Sequence, residues 1–544
     1  MSFVPQRATV VCFVVTFGIG FQTGYSSWIM NGSKDVLQRF LNKAFGDSLS
    51  DSIQDIMWSV LISIRVLGQI LGAEISRPLL DRFGRHACIR WISLTFTLSS
   101  VLQFSCIGGP VLWPLLYLGR ALQSIAIGMS QVAVSIFTGE ISHESVRGRN
   151  SAYQNINKGL GSLLAVILIF PTVLGGDSLW YWSMLIPGIP SGLLFVFSFW
   201  FWESPRFLMS KCPDRARKSL AFYESFPNSE SLNARARELA SAVEHETRQH
   251  QTEGVRTGVF SLLTETKIRP VIILCLALSS LRALSAYQTM FSYSEFAVVE
   301  TGVPPDSAKW VTLVVVICEF VLGVALTVFV DRFGRRPLLI GSCWVTVGAF
   351  LMLLVATQFV AVDLGQSDSA KFTDSLTNSS FLNTSSSSSS SPPSTTTMIP
   401  WTGYLGITAE VLWVCAYVIG LGLVTRFMVT EIFPQQLRAL AQKLNVQWDC
   451  VLSFGLSFAY LPLFRLIRGW VYLLLIVPLV PLAVYVCLKV PETRNRPLET
   501  IVEEMFATKS AKQGQSNQKW TSHESALNEA TPLLRERKQS YRTE

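Results

Sequence analysis

The stretch SRPLLDRFGRH, residues 76–86, contains a pentapeptide that the chain uses twice. The sequence DRFGR occurs at Asp81–Arg85 and again at Asp331–Arg335, each time directly after a long apolar run. Five identical residues rarely recur by chance, so the repeat indicates two related halves with the motif at equivalent places. The glycine of each copy suits a tight turn, because a residue without a Cβ atom adopts backbone conformations that other residues avoid.

The apolar runs around these motifs are long enough to cross a membrane. The chain has 544 residues, of which 49% are hydrophobic and 15% charged, whereas soluble domains carry about 25% charged residues. A membrane-spanning helix needs ~20 mainly apolar residues, and the runs lack the strict alternation of barrel strands. We therefore predict an all-α membrane protein of about twelve helices in two six-helix halves. The predicted spans are 9–30, 54–77, 87–107, 112–138, 153–173, 180–202, 270–294, 308–330, 338–361, 402–429, 444–463 and 470–489.

Two further pairs of charged motifs support the repeat. FTGEISHESVR after the fourth span matches VTEIFPQQLR after the tenth, and ESPR after the sixth matches PETR after the twelfth. Two halves that rock about a central site need contacts that form and break at one end, and ion pairs are strong when shielded and weak when wet. The alternative is that these charges only mark loop ends. The predicted gate comprises Asp81, Arg82, Arg85, Glu140, Arg147, Glu203, Arg206, Asp331, Arg332, Arg335, Glu431, Arg438, Glu492 and Arg494.

Basic residues cluster in alternate connections between the apolar runs, and the formal net charge of the chain is +8. Cytoplasmic loops are rich in Lys and Arg, so the pattern places both termini in the cytoplasm and explains the charge without a nucleic-acid partner. The predicted organisation is a first helical bundle (1–202), a cytoplasmic linker with short helices (203–268), a second bundle (269–504) and a disordered cytoplasmic tail (505–544).

Two polar segments carry candidate modification and sorting signals. Residues 362–400 include a Ser/Thr/Pro run that cannot bury a core, so we predict a disordered extracellular loop. Its N-x-[ST] sequences predict glycosylation at Asn378 and Asn383. The tail contains EATPLL, whose Leu533 and Leu534 resemble a sorting signal that clathrin adaptors bind. The alternative is an idle disordered tail.

Eight segments in this order resemble the sugar-porter family of the major facilitator superfamily, and within it the animal facilitative glucose transporters. They extend from residue 21 to residue 501 and are FQTGYSSWIMNGS, SRPLLDRFGRH, YLGRALQSIAIGMSQ, FTGEISHESVRGR, WESPRFLM, VDRFGRRPLL, VTEIFPQQLR and VPETRNRPLETI. The resemblance implies a major-facilitator fold that holds a hexose-like small molecule between its two bundles near the middle of the lipid bilayer, without a cofactor.

The resemblance also implies substrate contacts, although most of the family's sugar-binding residues have changed. Gln154 matches the fifth-helix Gln of the family. The seventh-helix motif Q-Q-L-S-G-x-N aligns with RALSAYQ, so that Arg282 replaces a Gln and Gln288 the Asn. The eighth-helix Asn falls on Glu319. The eleventh-helix Asn-Trp falls on Gln447-Trp448 if two residues are deleted before it, which makes Trp448 a stacking wall for the substrate, and on Asp449-Cys450 if none are deleted. The tenth-helix Pro-rich stretch becomes GLGLVTR.

Charged residues also lie inside the predicted spans, namely Arg65, Arg120, Lys158, Arg282, Glu319, Arg426 and Asp449. A charge at the bilayer centre costs at least ~2.5–3.5 kcal/mol, so such residues usually face the bundle interior. Arg282 either forms a salt bridge with Glu319 or binds the carboxylate of an anionic substrate. Proton symporters of the family typically carry an Asp where this chain has Ser26, which favours passive uniport.

These features lead to one main hypothesis and two alternatives. The main hypothesis is a facilitative carrier (a uniporter) of a hexose or polyol by alternating access, in the plasma membrane or an endolysosomal membrane. The alternatives are a carrier of a small organic anion that uses Arg282, and a non-transporting sugar sensor. An enzyme is not expected, because the chain has no nucleophile elbow, phosphate loop or HExxH motif. The scattered cysteines show no metal-ligand spacing.

Overall fold

The computed structural model describes residues 6–47, 49–142, 144–224, 226, 228–252, 269–377, 400–422, 424–432 and 435–490. Every regular element within these ranges is helical. The predicted all-α fold class is confirmed.

The described residues of the first half form eight α-helices, and the last two together form its sixth span. They are α1 (Gln6–Trp28), α2 (Lys34–Ala44), α3 (Asp51–Phe83), α4 (Arg85–Phe104), α5 (Trp113–Ile141), α6 (Glu144–Leu168), α7 (Trp180–Leu185) and α8 (Gly188–Phe197). The described residues of the polar linker form three surface helices, α9 (Pro205–Lys211), α10 (Pro213–Tyr223) and α11 (Ser229–Thr252).

Over its described residues the second half also forms eight α-helices, because two of its spans are interrupted. They are α12 (Arg269–Leu284), α13 (Tyr287–Val299), α14 (Pro305–Phe333), α15 (Arg335–Thr377), α16 (Trp401–Ala416), α17 (Val424–Ile432), α18 (Gln435–Ile467) and α19 (Trp470–Lys489). Helix α15 continues past its predicted end at residue 361, so the first part of the predicted 362–400 loop is helical. Asn378, Asn383, Leu533 and Leu534 lie outside the described residues.

Eleven helical segments of the described chain are long and apolar enough to cross a membrane. Helix α6 is not among them, because its first turns carry Arg147, Arg149, Gln154 and Lys158. It nevertheless packs along α1 and α14, so it occupies the place of the predicted fifth span. Together with the eleven, it accounts for the predicted twelve.

Large apolar side chains cover the outside of the helical bundle. Leu71, Trp91, Leu193, Trp310 and Val477 are each more than half exposed. In hydrocarbon such side chains are well solvated, while the backbone polar groups are satisfied within each helix. The chain is therefore a multi-pass membrane protein.

Both copies of DRFGR form the tight turn that their glycine predicts. Gly84 has φ +98° between α3 and α4, and Gly334 has φ +84° between α14 and α15. Only a residue without a Cβ atom adopts such angles readily. The end of the bundle that carries these two turns is called the motif end below, and the other is called the opposite end.

Close helix contacts make the first half a tightly packed unit. A Cβ atom added to Gly24 of α1 would overlap the carbonyl oxygen of Lys158 on α6, and one added to Gly161 would overlap that of Phe21. Gly72 and Gly128 allow the same approach between α3 and α5. Small residues let membrane helices pack backbone to backbone, and here they fix where Lys158 stands relative to α1.

Two helices of the second half break at the level of the bundle centre. Between α12 and α13, Ala286 has φ +55°, a left-handed conformation that costs a non-glycine residue roughly 1–2 kcal/mol. After α16, Tyr417–Leu421 form a π-helical turn that contains Gly420 and is followed by Gly422. The tenth span therefore keeps an interruption although GLGLVTR has no proline.

Candidate functional site

A cavity of about 100 Å³ lies between the two halves. Its walls come from α1, α3, α5 and α6 of the first half, and from α13 and the π-helical turn of the second. Ligand pockets usually hold about 300–1,000 Å³, so the walls stand close together in this structure. The lining residues are Gly20, Thr23, Ser27, Arg65, Gln69, Gln131, Gln154, Asn155, Lys158, Tyr287, Gln288, Phe291 and Tyr417.

A chain of hydrogen bonds crosses the cavity between the halves. Arg65 donates to the Gln288 side-chain oxygen and, at 2.7 Å, to Ser27 Oγ. Gln288 Nε2 in turn donates to Gln69 Oε1 at 3.3 Å and to the Tyr287 hydroxyl at 3.0 Å. The predicted candidates Gln154 and Gln288 both line the cavity.

Aromatic rings form the second-half wall of the cavity. Tyr287 stacks on Tyr417 with ring centroids 5.0 Å apart and planes 10° apart, and Phe291 meets Tyr417 edge-on at 5.6 Å. The ring centroid of Trp28, in the first half, lies 5.1 Å from that of Phe291. Such packed rings offer rigid apolar faces beside the amides.

Arg282 pairs with Asp449, which corrects the predicted Arg282–Glu319 salt bridge. The guanidinium Nε donates to Asp449 Oδ1 at 3.1 Å, its Nη2 contacts Oδ2, and both side chains are buried. The Tyr287 hydroxyl also donates to Asp449 at 3.0 Å. Helix α18 brings Asp449 to α12, whereas Glu319 faces the first half. Asp449 balances the charge of Arg282, which is absent from the residues that line the cavity.

Glu319 forms an ion pair across the boundary between the halves. Its Oε1 lies 3.6 Å from Lys158 Nζ, and its Oε2 accepts a hydrogen bond of 3.0 Å from Trp28 Nε1. Glu319 is buried, and Lys158 lines the cavity. Helices α6 and α14 are therefore connected beside the cavity.

Trp448 lies away from the cavity, contrary to its predicted stacking role. Its indole Nε1 donates to Ser280 Oγ at 2.8 Å, and the residue is 40% exposed. The neighbouring Asp449 occupies the interior position of α18 instead, because successive helical residues point about 100° apart.

Two further ion pairs connect α3 and α18 near their ends. Lys443 Nζ lies 2.8 Å from Glu74 toward the motif end, and Arg465 Nε lies 3.0 Å from Asp55 at the opposite end. None of these four residues was among the predicted gate residues, because the repeated motifs do not contain them. Both ion pairs join residues of different halves, so they could be identified only from the packing of the two halves.

Three predicted gate residues of the first half, Arg85, Glu140 and Glu203, form a cluster within that half. Arg85 contacts the Glu140 carboxylate at 3.1 Å, and Ser204 Oγ also donates to Glu140. Glu203 accepts the backbone N–H groups of Arg85 and His86, each at 2.9 Å, at the positive N-terminal end of α4. Burial raises the pKa of Glu203, while these N–H bonds oppose the rise.

The other predicted gate residues divide into two groups. The side chains of Asp81 and Arg82 are exposed, and those of Arg206 and Arg335 are half-buried. The remaining gate residues lie, by side chain or entirely, outside what the structure describes: Arg147, Asp331, Arg332, Glu431, Arg438, Glu492 and Arg494. A gate that closes between the halves stays a prediction.

Replacement of Glu140 by Gln should destabilise the folded protein by about 1–3 kcal/mol, because Arg85 loses a partly buried charged partner. Thermal unfolding of the purified protein in detergent measures this change. Asp81→Asn is the matched control, from the DRFGR motif that also contains Arg85. Loss of an exposed carboxylate should change stability by less than about 0.5 kcal/mol. Equal effects of the two substitutions would contradict the cluster.

Sequence comparison supports the same architecture. The profile of the family described as "Sugar (and other) transporter" matches residues 11–506. Human facilitated glucose transporter member 5 of solute carrier family 2 is 23% identical over 503 residues, which cover 90% of this chain and 91% of that protein. Human member 11 is 24% identical over 514 residues, covering 92% and 93%.

Solved structures show the same fold at low identity. The inward open xylose transporter XylE from E. coli superposes with a TM-score of 0.67 at 18% identity, over 92% of this chain and 99% of that one. The major-facilitator proton:xylose symporter XylE bound to 6-bromo-6-deoxy-D-glucose gives 0.64 at 19% identity, with the same coverage.

Proposed function

Because this chain belongs to the sugar (and other) transporter family of the major facilitator superfamily, we propose that it is a facilitative carrier of a hexose or related polyol. The observation that carries the proposal is the cavity between the halves, walled by amides of both. Alternating access needs such a site, since each half must hold the substrate while the bundle opens toward one side and then the other.

The chemistry of the walls suits a polyhydroxylated substrate. An amide both donates and accepts hydrogen bonds, and Gln69, Gln131, Gln154, Asn155 and Gln288 all line the cavity. The neighbouring aromatic rings offer apolar faces, which match the CH face of a pyranose ring.

Passive uniport is supported by the surroundings of Ser26. This residue takes the place where proton symporters of the family typically carry an Asp. Its hydroxyl accepts a 2.7 Å hydrogen bond from Arg120 and donates to Gln123 at 3.1 Å. A serine there holds Arg120 without a proton-binding carboxylate.

The motif end is proposed to face the cytoplasm, together with both termini and the linker helices. The arginines of the two DRFGR turns agree with the positive-inside rule. Under this orientation, Glu74–Lys443 lies toward the cytoplasm and Asp55–Arg465 toward the outside or the organelle lumen.

Replacement of Gln288 by Ala should lower the initial uptake rate at low substrate concentration about tenfold, because one hydrogen bond in the site is worth up to about 1.5 kcal/mol. Uptake of labelled hexose into proteoliposomes measures this initial rate. Trp448→Phe is the control, and its outward side chain should leave the rate within about twofold. A larger loss in Trp448→Phe than in Gln288→Ala would contradict this site.

Glucose and fructose uptake into proteoliposomes, with and without a proton gradient, tests the function itself. We expect saturable uptake that equilibrates without the gradient. Accumulation of the sugar against its own gradient, driven by the proton gradient, would contradict uniport and indicate proton symport. Hexose binding without flux would favour the non-transporting sensor.

A further inference from the structure

Arg65 places an unbalanced positive charge in the wall of the central cavity. Of the cavity-lining residues, Arg65 and Lys158 alone are charged. Lys158 has Glu319 as its counter-ion. In the described part of the chain, Arg65 donates only to the neutral groups of Gln288 and Ser27, and its Nε has no partner.

This arrangement is costly for an empty site. Arg65 is only 5% exposed, and the free energy of a charge in such surroundings rises steeply without a counter-ion. Arg120, fully buried on the neighbouring α5, adds repulsion because it interacts electrostatically with Arg65. Its own hydrogen bonds within the described residues go to Ser26 and Gln123. An anion in the cavity would compensate this excess of positive charge.

The groups around Arg65 define what kind of anion would fit. A guanidinium binds a carboxylate through two parallel hydrogen bonds. Gln288 accepts from Arg65 and donates to Gln69 and to the Tyr287 hydroxyl, and these cavity-lining groups can exchange such bonds for bonds to substrate hydroxyls. We propose that the preferred substrate is a sugar acid, a polyhydroxylated carboxylate whose carboxylate binds Arg65 in place of the Gln288 amide oxygen. This inference rests on the proposed transport through the same cavity.

Competition between two matched sugars tests the proposal on the unaltered protein. D-Glucose and D-glucuronate share one ring and differ at the sixth carbon, where the second carries the carboxylate. With the membrane potential clamped at zero by potassium and valinomycin, we expect kcat/KM for glucuronate uptake to exceed that for glucose about tenfold or more. Unlabelled glucuronate should also inhibit glucose uptake. Glucose uptake that glucuronate does not inhibit would overturn the sugar-acid proposal and leave the carrier function intact.

Substitution of Arg65 identifies the residue that sets the preference. Arg65→Gln should lower the ratio of glucuronate to glucose kcat/KM by about 10- to 100-fold, because a hydrogen bond to a charged group is lost. Arg235→Gln, which removes a surface arginine of α11, should leave the ratio unchanged, and thermal unfolding checks that each variant is folded. An unchanged ratio in a folded Arg65→Gln protein would overturn the role of Arg65.

Two remaining outcomes are equally decisive. Glucose 6-phosphate carries a phosphate at the same carbon, and a preference for it over glucuronate would overturn the choice of a carboxylate. Absence of uptake for all three sugars would overturn the proposed carrier function, and the sugar-acid proposal with it.

Discussion

Replacement of Asp449 by Asn is expected to lower the free energy of unfolding by about 3–5 kcal/mol, because it leaves the buried Arg282 without its counter-ion. The guanidinium cannot lose its proton to escape this cost. Arg282 lies near the end of α12, four residues before the left-handed Ala286. Displacement of Arg282 would therefore also disturb Tyr287. Thermal or denaturant unfolding in detergent measures the stability, and uptake should fall with it.

The double variant Arg282→Gln/Asp449→Asn tests whether Asp449 stabilises the protein by neutralising Arg282. It leaves no net charge and two amides able to bond each other, so it should recover most of the stability lost in Asp449→Asn alone. Replacement of a buried ion pair by neutral groups is often close to neutral. A double variant less stable than Asp449→Asn would show that Asp449 does not act by balancing Arg282.

Reversal of the charge at Lys158 should reduce uptake by about a hundredfold, because it sets two carboxylates against each other between α6 and α14. Like charges about 4 Å apart repel by about 4 kcal/mol at an effective dielectric constant of 20, and protonation of one carboxylate relieves part of this. Uptake into proteoliposomes at matched protein density measures the loss for Lys158→Glu. The exchanged pair Lys158→Glu/Glu319→Lys should recover uptake to within about tenfold of the original rate.

Lys443→Glu is the matched control for this charge reversal. It makes the same chemical change at another contact between the halves, but Lys443 and Glu74 are 39% and 40% exposed. Solvent screens such pairs, so they contribute about 0–1 kcal/mol. If Lys443→Glu impairs uptake as much as Lys158→Glu, the burial of the Lys158–Glu319 pair does not explain the loss of uptake in Lys158→Glu.

Most of the fold was predictable because its signals are local in the sequence. Apolar runs report membrane spans directly, and the repeated DRFGR motif reports the two halves. Helix α6 was predicted as the fifth span, but it begins at Glu144 rather than residue 153, because a helix that faces a polar interior need not be apolar all round. The extension of α15 beyond residue 361 was missed because its polar residues read as a loop.

The site was less predictable, because pairing depends on how helices are rotated and how deep they sit. Arg282 and Glu319 both align with sugar-binding positions of the family, yet they face different partners. Asp449 was recognised as a charge inside a span, but only the rotation of α18 shows that it meets Arg282 while Trp448 turns outward. Arg65 was likewise recognised as a charge, and its place in the cavity wall needed the packing of α3.

The two ion pairs between α3 and α18 give the proposed transport cycle a built-in asymmetry. When the carrier opens toward one side, the pair at that mouth separates while the other stays closed, so each half-cycle breaks a different contact. Lys443 and Glu74 are partly exposed, and Arg465 is exposed although Asp55 is buried. Ions in the adjoining solution therefore weaken each pair independently. A difference in ionic strength between the two sides would then make inward and outward reorientation proceed at different rates. Entry and exit under equal and opposite substrate gradients would differ in rate without any coupling ion.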